Sequence, residues 1–385
     1  MPSIPDGQLP KETLQGWLGV NLRQDGVTIS DQELLVAINA DLHSQLGTIR
    51  LRQGRQLLYP TALDAAAVYG LFRHEGRRYQ AVGTTLYRDA VPIVGLLAGN
   101  TRPTVLPYQP LNDETTWSFI ADRNMMRKDN GTTVSNWGIA ASPTVPAIAA
   151  GAAGSLTGDY GAVYTYVRMV GSSVAHESNP CPAPTPVTLA SQVLDVPVQA
   201  SLDPQVTHIR IYRTVAGGST YFFDQQVANA IATHASSQAD DALGTEVETD
   251  NDPPPLAACA AEFQGHIFLC NVVDNPDYLY YSKRFRPESF PPDQFLKIGN
   301  PSDPLLSMIA LTGVLGVFTY LTKYRVFGNS VSGFTALEAL NSRGVASANA
   351  TLSTAKGVAF VAKDGIWLTN FVEADLELSA GIQGL

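Results

Sequence analysis

Charge is scarce in this chain. Only 16% of its 385 residues are Asp, Glu, Lys or Arg, where about a quarter is usual for a globular protein. The formal net charge of −10 argues against a general nucleic-acid binder, which needs a basic face to neutralise phosphates. Cysteine is scarcer still. Cys181, Cys259 and Cys270 are odd in number and lack C-x-x-C spacing, so a disulfide framework or zinc site is not expected and the three read as reduced core residues. Residues 1–10 carry Pro, Asp and Gly where a signal peptide needs an apolar stretch. The uncharged run 305–322, LLSMIALTGVLGVFTYLT, is about long enough to cross a bilayer. Gly313 and Gly316 interrupt it, and its β-branched and aromatic content points to two buried strands, so no membrane insertion is expected.

What the chain has is 45% apolar residues, with 32 Gly and 25 Pro spread along it. That composition fits a globular protein with many turns between short strands. Residues 263–290, FQGHIFLCNVVDNPDYLYYSKRFRPESF, show the pattern best. The β-forming stretch 266–273 is closed by Asp274, Asn275, Pro276 and Asp277, and 278–281 resumes as an aromatic strand. Two strands alone are marginal in water, so this hairpin must pack on further sheets, as a β-propeller blade does.

Similar clusters recur. Residues 69–73, 79–82 and 85–88 read as a three-strand meander; 117–122, 124–128 and 132–137 read as a second. Residues 46–58 contain two short segments about Gln53-Gly54. Before them, Leu34, Leu35 and Ile38 follow Ser30 with Glu33 in a capping-box pattern, which predicts a short helix over 29–39. After residue 256 the meander texture returns at 263–290, 305–335 and 348–378, the last with a hairpin turn at Lys363-Asp364-Gly365. Each cluster spans about 35 to 50 residues, the size of a propeller blade.

The middle differs. Residues 143–160 are small, Pro/Gly-rich and almost uncharged, which reads as a linker. Residues 161–255 hold six strand-like segments, among them YTYVRMV, THIRIYRTV and YFFDQQV, with turns every 8 to 12 residues. That is the spacing of a small β-sandwich. It ends at Asn251-Asp252-Pro253-Pro254-Pro255. The expected architecture is therefore all-β: an irregular propeller-like body from residues 1–142 and 256–385, with a sandwich inserted between.

The segments YTYVRMVGSSVAHESNPCPAP and DPQVTHIRIYRTVAGGSTYFF, with the closing PPP, resemble the immunoglobulin- or fibronectin-like insert of bacteriophage tail proteins. FQGHIFLCN, YLYYSKRFRPESFP and KYRVFGNS are similar to propeller segments flanking such inserts in podophage tail nozzle or hub proteins, and WLGVN with INADLHSQLGTIRLRQGR resembles their opening. The resemblance implies a virion structural protein of the short tail, assembled in the host cytoplasm as a ring of six copies beside other tail and portal-adaptor proteins. Genomic DNA would pass through the lumen. The acidic balance would then lower friction on phosphates.

Candidate chemistry is thin, and no pattern asks for a cofactor. Asp64, Asp89, Asp113, Glu114 and Asp122 could contain a glycosidase pair, but Asp is also an ordinary turn residue. His43, His74, His176, His208, His234 and His266 lack metal-ligand spacing, and no G-x-S-x-G elbow accompanies them. His266 reads as a half-buried strand residue. The acidic run Asp240, Asp241, Glu246, Glu248, Asp250 and Asp252 lacks EF-hand alternation and reads as a solvated loop, with calcium as the alternative. Lys283, Arg284 and Arg286, interleaved with Tyr281 and Phe285, are the strongest basic cluster and the candidate assembly contacts, as an intersubunit or interdomain patch. Arg50, Arg52 and Arg55 form a smaller stripe of the same kind. Two further functions stay open on the sequence: a receptor- or glycan-binding module using Trp117, Trp137, Tyr278, Tyr280 or Tyr281, and a polysaccharide-degrading enzyme.

Overall fold

The structure is a computed structural model that describes residues 59–379 except 60, 96, 100, 101, 341 and 342, together with the backbone of residues 19–20, 33–34, 40–41 and 50–51. The described residues form an all-β protein of small antiparallel sheets, with no α-helix and one 3-10 turn at Asp240–Ala242. Five of the sheets are four-stranded meanders in which each strand pairs with its sequence neighbour.

Sheet 1 is Val68–His74, Arg77–Val82, Thr85–Arg88 and Val91–Val94. Sheet 2 is Thr104–Tyr108, Trp117–Asp122, Met125–Asp129 and Val134–Asn136. Sheet 3 is Ala257–Phe263, His266–Val272, Tyr278–Tyr281 and Phe295–Lys297. Sheet 4 is Ser307–Leu311, Val314–Phe318, Lys323–Asn329 and Gly333–Glu338. Sheet 5 is Thr351–Thr354, Gly357–Ala362, Gly365–Thr369 and Leu376–Glu377.

Consecutive sheets pack face to face through separate apolar cores. Tyr79, Ala81 and Leu86 of sheet 1 meet Ile120 and Met125 of sheet 2. Phe119 and Trp137 meet Ile267 and Leu269 of sheet 3, whose opposite face sends Phe268 and Leu279 against Leu315 and Val326 of sheet 4. Phe318 of sheet 4 packs on Phe360 and Phe371 beside sheet 5. Period-two alternation explains this layering, because side chains i and i+1 of a strand serve different neighbours. Strands buried on both faces become continuous apolar runs, as in His266–Val272, where every residue is buried.

Between sheets 2 and 3 the chain leaves to build two further sheets. Ala149–Tyr160, Val187–Val198 and Ala232–Ser236 form one; Ser173–Glu177, Ala162–Val170, His208–Arg213 and Phe222–Ala228 form the other. Leu189, Leu194 and Val196 from the first share one core with Val163, Ile209 and Ile211 from the second, which makes the pair a sandwich. The excursion does not separate its neighbours, since Thr104 Oγ1 donates to the Ala258 carbonyl across sheets 2 and 3 at 3.1 Å.

Several expectations are corrected. The segment read as a linker contains the twelve-residue strand Ala149–Tyr160, paired to Val187–Val198 through register shifts at 150–157, so the sandwich starts earlier than residue 161. Small residues there fit a bulged strand, with Gly154 against Val193 and Gly151 against Asp195. Within the expected helix, Glu33–Leu34 is extended and pairs in parallel with Gly19–Val20. The rest of 29–39 and the hairpin about Gln53-Gly54 lie outside the described residues. Strands Thr104–Tyr108 and Val91–Val94 add a fourth strand to each of the two meanders expected to be three-stranded. The run 305–322 is two strands turned at Gly313, whose φ of 79° favours glycine. Gly316 is instead a packing site, because a Cβ there would meet the Phe371 ring at 2.0 Å. Gly316→Ala is expected to lower stability by about 1–3 kcal/mol through overpacking, measured as a fall in the urea midpoint with an unchanged m-value.

Candidate functional site

Two places concentrate chemistry: the junction that joins the sandwich to sheets 2 and 3, and a cavity bordered by the first four meanders and the segment that leads into the fifth.

At the junction, Arg168, two residues before the end of the strand Ala162–Val170, reaches from the sandwich to the meanders. Its Nη1 donates to Asp113 Oδ2 at 2.5 Å and its Nη2 to Glu288 Oε1 at 2.7 Å. Lys128, from the third strand of sheet 2, donates to the other Glu288 oxygen at 2.5 Å. Trp117 lies beneath both cations, with Lys128 Nζ 4.6 Å and Arg168 Cζ 5.3 Å from its ring, and its Nε1 donates to Asp113. Each side chain is nearly or fully buried. Two cations face two carboxylates, which is what allows the charges to remain in a dry interface.

Burial pushes the Glu288 carboxyl up, but Lys128 and Arg168 outweigh it and hold it at about 2. Burial lowers the Lys128 ammonium to about 8 against the pull of Glu288. These directions oppose one another energetically. The Glu288 direction governs acid behaviour, because that carboxylate faces two cations whereas Lys128 faces one carboxylate with Arg168 beside it. His176, buried next to the cluster, is lowered to about 4 by desolvation, and its Nε2 accepts from the Ile139 amide at 3.3 Å. Neutral bonds add to the seam: Gln205 Nε2 donates to the Asn136 and Gly138 carbonyls, and Trp137 Nε1 donates to the Pro287 carbonyl.

The candidate assembly residues sit beside this junction. Lys283 Nζ donates to Glu248, Asp250 and Asn251, and Arg286 pairs with Glu248 at 2.8 Å. Both cations are thus engaged within the chain, between the sandwich exit and sheet 3. Tyr281 packs with His266, Phe268 and Phe334. Phe285 has a φ of 58°, rests on Gly265 and carries the Arg284 guanidinium 4.7 Å over its ring. Phe285 and Arg284 remain on the surface. The side chains of Arg50, Arg52 and Arg55 lie outside the described residues.

The acidic run is likewise partnered at several positions. Asp240 accepts from Arg213 at 2.6 Å, while Glu248 and Asp250 serve Lys283. Among the described residues no group of three or more His, Cys, Asp or Glu gathers as a metal site. The carboxylates considered for glycoside hydrolysis are dispersed: Asp64 caps the Ala66 amide, Asp89 pairs with Arg78, Asp113 joins the junction and Asp122 caps Ala98 and Asn124. Trp117 and Trp137 are buried, so neither can stack on a glycan. Tyr278 and Tyr280 are half-buried and group with Phe295, Tyr278 stacked on it at 4.9 Å. His266 is buried rather than half-buried, and its Nδ1 bonds the Ser282 carbonyl.

The cavity, of about 790 Å³, is bordered by Phe72, Val105, Ala258, Met308 and the segment 346–349 that leads into sheet 5. These come from the first strand of sheets 1 to 4 and the approach to the fifth. Arg102 and Arg123 are its only charged lining side chains among the described residues, and Arg102 is stacked on Phe72 at 4.8 Å. Among the described residues no carboxylate or histidine lines it.

Sequence reasoning missed Arg168, Lys128 and Glu288. Their one signal was a cation inside a strand of apolar pattern, as in YTYVRMV. No protein-family model matches the chain, and no curated protein sequence does. Among solved structures, the AfRom2 CNH domain overlaps it at a TM-score of 0.19 and 8% identity, covering 80% of this chain and 92% of that one. An overlap that weak carries no argument.

Glu288→Gln is expected to lower stability at neutral pH by about 3–5 kcal/mol, because it leaves two buried cations short of a charge. Its folded value lies below its ordinary 4.5, so its contribution is whole above that pH and is lost as pH falls toward 2. Urea midpoints measured across that window should converge for the parent and the variant.

Proposed function

We propose that this chain is a virion structural protein of a bacteriophage short tail, a nozzle or hub subunit that assembles as a six-membered ring around a DNA-conducting lumen. The body is a propeller-like series of meanders and the insert an immunoglobulin- or fibronectin-type sandwich. The observation that carries the proposal is the buried Arg168–Glu288–Lys128 junction. It joins insert and body into one stiff part, as suits a load-bearing subunit, whereas a recognition domain on a tether needs no such seam. Support also comes from the resemblance of the insert and its flanks to tail nozzle and hub proteins.

The net charge of −10 suits a conduit for DNA, since an anionic wall does not hold phosphates. The cavity inside a single chain is lined by two arginines and is not that conduit. The lumen lies between copies. Its partners are further copies of itself, the neighbouring tail and portal-adaptor proteins, and DNA in transit.

A receptor- or glycan-binding module is the second reading, favoured by the partly exposed Tyr278, Tyr280 and Phe295 group. Electron microscopy of the purified chain and of tailed particles distinguishes them. The proposal expects six-fold rings and stoichiometric presence in the tail; a monomer absent from particles that binds glycans saturably contradicts it.

A further inference from the structure

Sheet 5 is apolar on both faces. One face, with Val358 and Phe360, covers sheet 4. On the other, Leu352, Ala359, Leu368 and Leu376 stand in one register row across all four strands. Val361, Ile366 and Leu378 flank that row. Leu352 is 66% exposed and Leu376 60%, so nothing among the described residues covers this face. Every other sheet in the series from 2 to 4 is covered on both sides.

Sheet 1 is the opposite end of the series, and its first strand borders the same cavity as the segment 346–349 that leads into sheet 5. Its outer face carries Leu71, Gln80 and Tyr87, and the incoming chain crosses it. Gln80 Nε2 donates to Tyr59 Oη, Tyr87 Oη donates to the Leu63 carbonyl, and the Arg78 guanidinium lies 5.6 Å over the Tyr59 ring. The described chain therefore begins, at Tyr59, on the side of sheet 1 turned away from sheet 2. The meanders take from 27 residues, as in 68–94, to 41, as in 257–297. Fifty-eight residues suffice for one more.

We propose that residues 1–58 supply the closing sheet of the ring and dock on the open apolar face of sheet 5. The inference rests on the propeller-like reading of the meanders, though not on the tail assignment. The segment has apolar residues to offer, and Val20, Leu34 and Leu51 fall in short extended pieces of backbone. It also carries five Lys or Arg against six Asp or Glu. A nearly neutral segment closes the face without the repulsion met by a second copy of net charge −10. Closing the ring end to end removes the open sheet face that would otherwise invite association.

Carbene footprinting of the unmodified full chain tests this, with the fully exposed Leu202 as internal reference. In the monomeric fraction at low concentration, Leu352 and Leu376 are expected to label at least fivefold less than Leu202. Labelling equal to Leu202 overturns the proposal, as does protection that appears only in oligomers. A photo-crosslinking residue at position 352 or 376, in a mixture of light and isotopically heavy chains, identifies the cover. Crosslinks within one chain to residues 1–58 are expected; crosslinks to other segments or between light and heavy chains overturn it. Ring formation in the microscope is independent of both outcomes.

Discussion

The arrangement depends on one bidentate guanidinium. Arg168 leaves the sandwich and grips carboxylates from two places in the meander body, Asp113 beside sheet 2 and Glu288 beyond the third strand of sheet 3. Lys128 completes the charge balance from sheet 2. Because these groups are dry, the two units cannot separate without exposing each charge from its partner or leaving it buried alone, which costs several kcal/mol. An insert of two sheets thereby becomes part of the body's frame.

The same device recurs along the series. Arg88 on the third strand of sheet 1 reaches Asp129 at the end of the third strand of sheet 2 at 2.5 Å. Lys128 of sheet 2 reaches Glu288, and Lys323 of sheet 4 reaches Asp375 beyond the third strand of sheet 5 at 2.7 Å, both buried. In each case a cation on the third strand of one sheet meets a carboxylate at or past the third strand of the next. Between sheets 3 and 4 the place is taken by aromatic rings, Tyr281 with His266, Phe268 and Phe334. Apolar burial supplies most of the driving force at every interface, and these pairs fix which face meets which.

Much of the strand content was legible, and for local reasons. Period-two alternation and turn residues placed the strands around 266–281, the sandwich segments 164–170 and 207–215 that overlap the strands Ala162–Val170 and His208–Arg213, and the hairpin at Lys363-Asp364-Gly365. Ala149–Tyr160 was not legible, because alanine and glycine carry little strand signal and only pairing with Val187–Val198 holds them extended. The site was hidden for a related reason. Asp113, Arg168 and Glu288 are far apart in sequence, and each alone resembles a turn acid or a strand cation. The basic cluster at 283–286 was visible as a cluster, but its acidic partners Glu248 and Asp250 belong to a run that looked solvated.

The central claim is that insert and body are coupled through the buried charges, and a double-mutant cycle between Arg168 and Glu288 tests it most directly. Arg168→Met and Glu288→Met, singly and together, are compared by urea unfolding at neutral pH. A coupled junction predicts an interaction energy of about 2 kcal/mol or more, with the double variant less destabilised than the sum of the singles. Additivity within about 0.5 kcal/mol would contradict the account, since the seam would then be held by its apolar and neutral contacts alone.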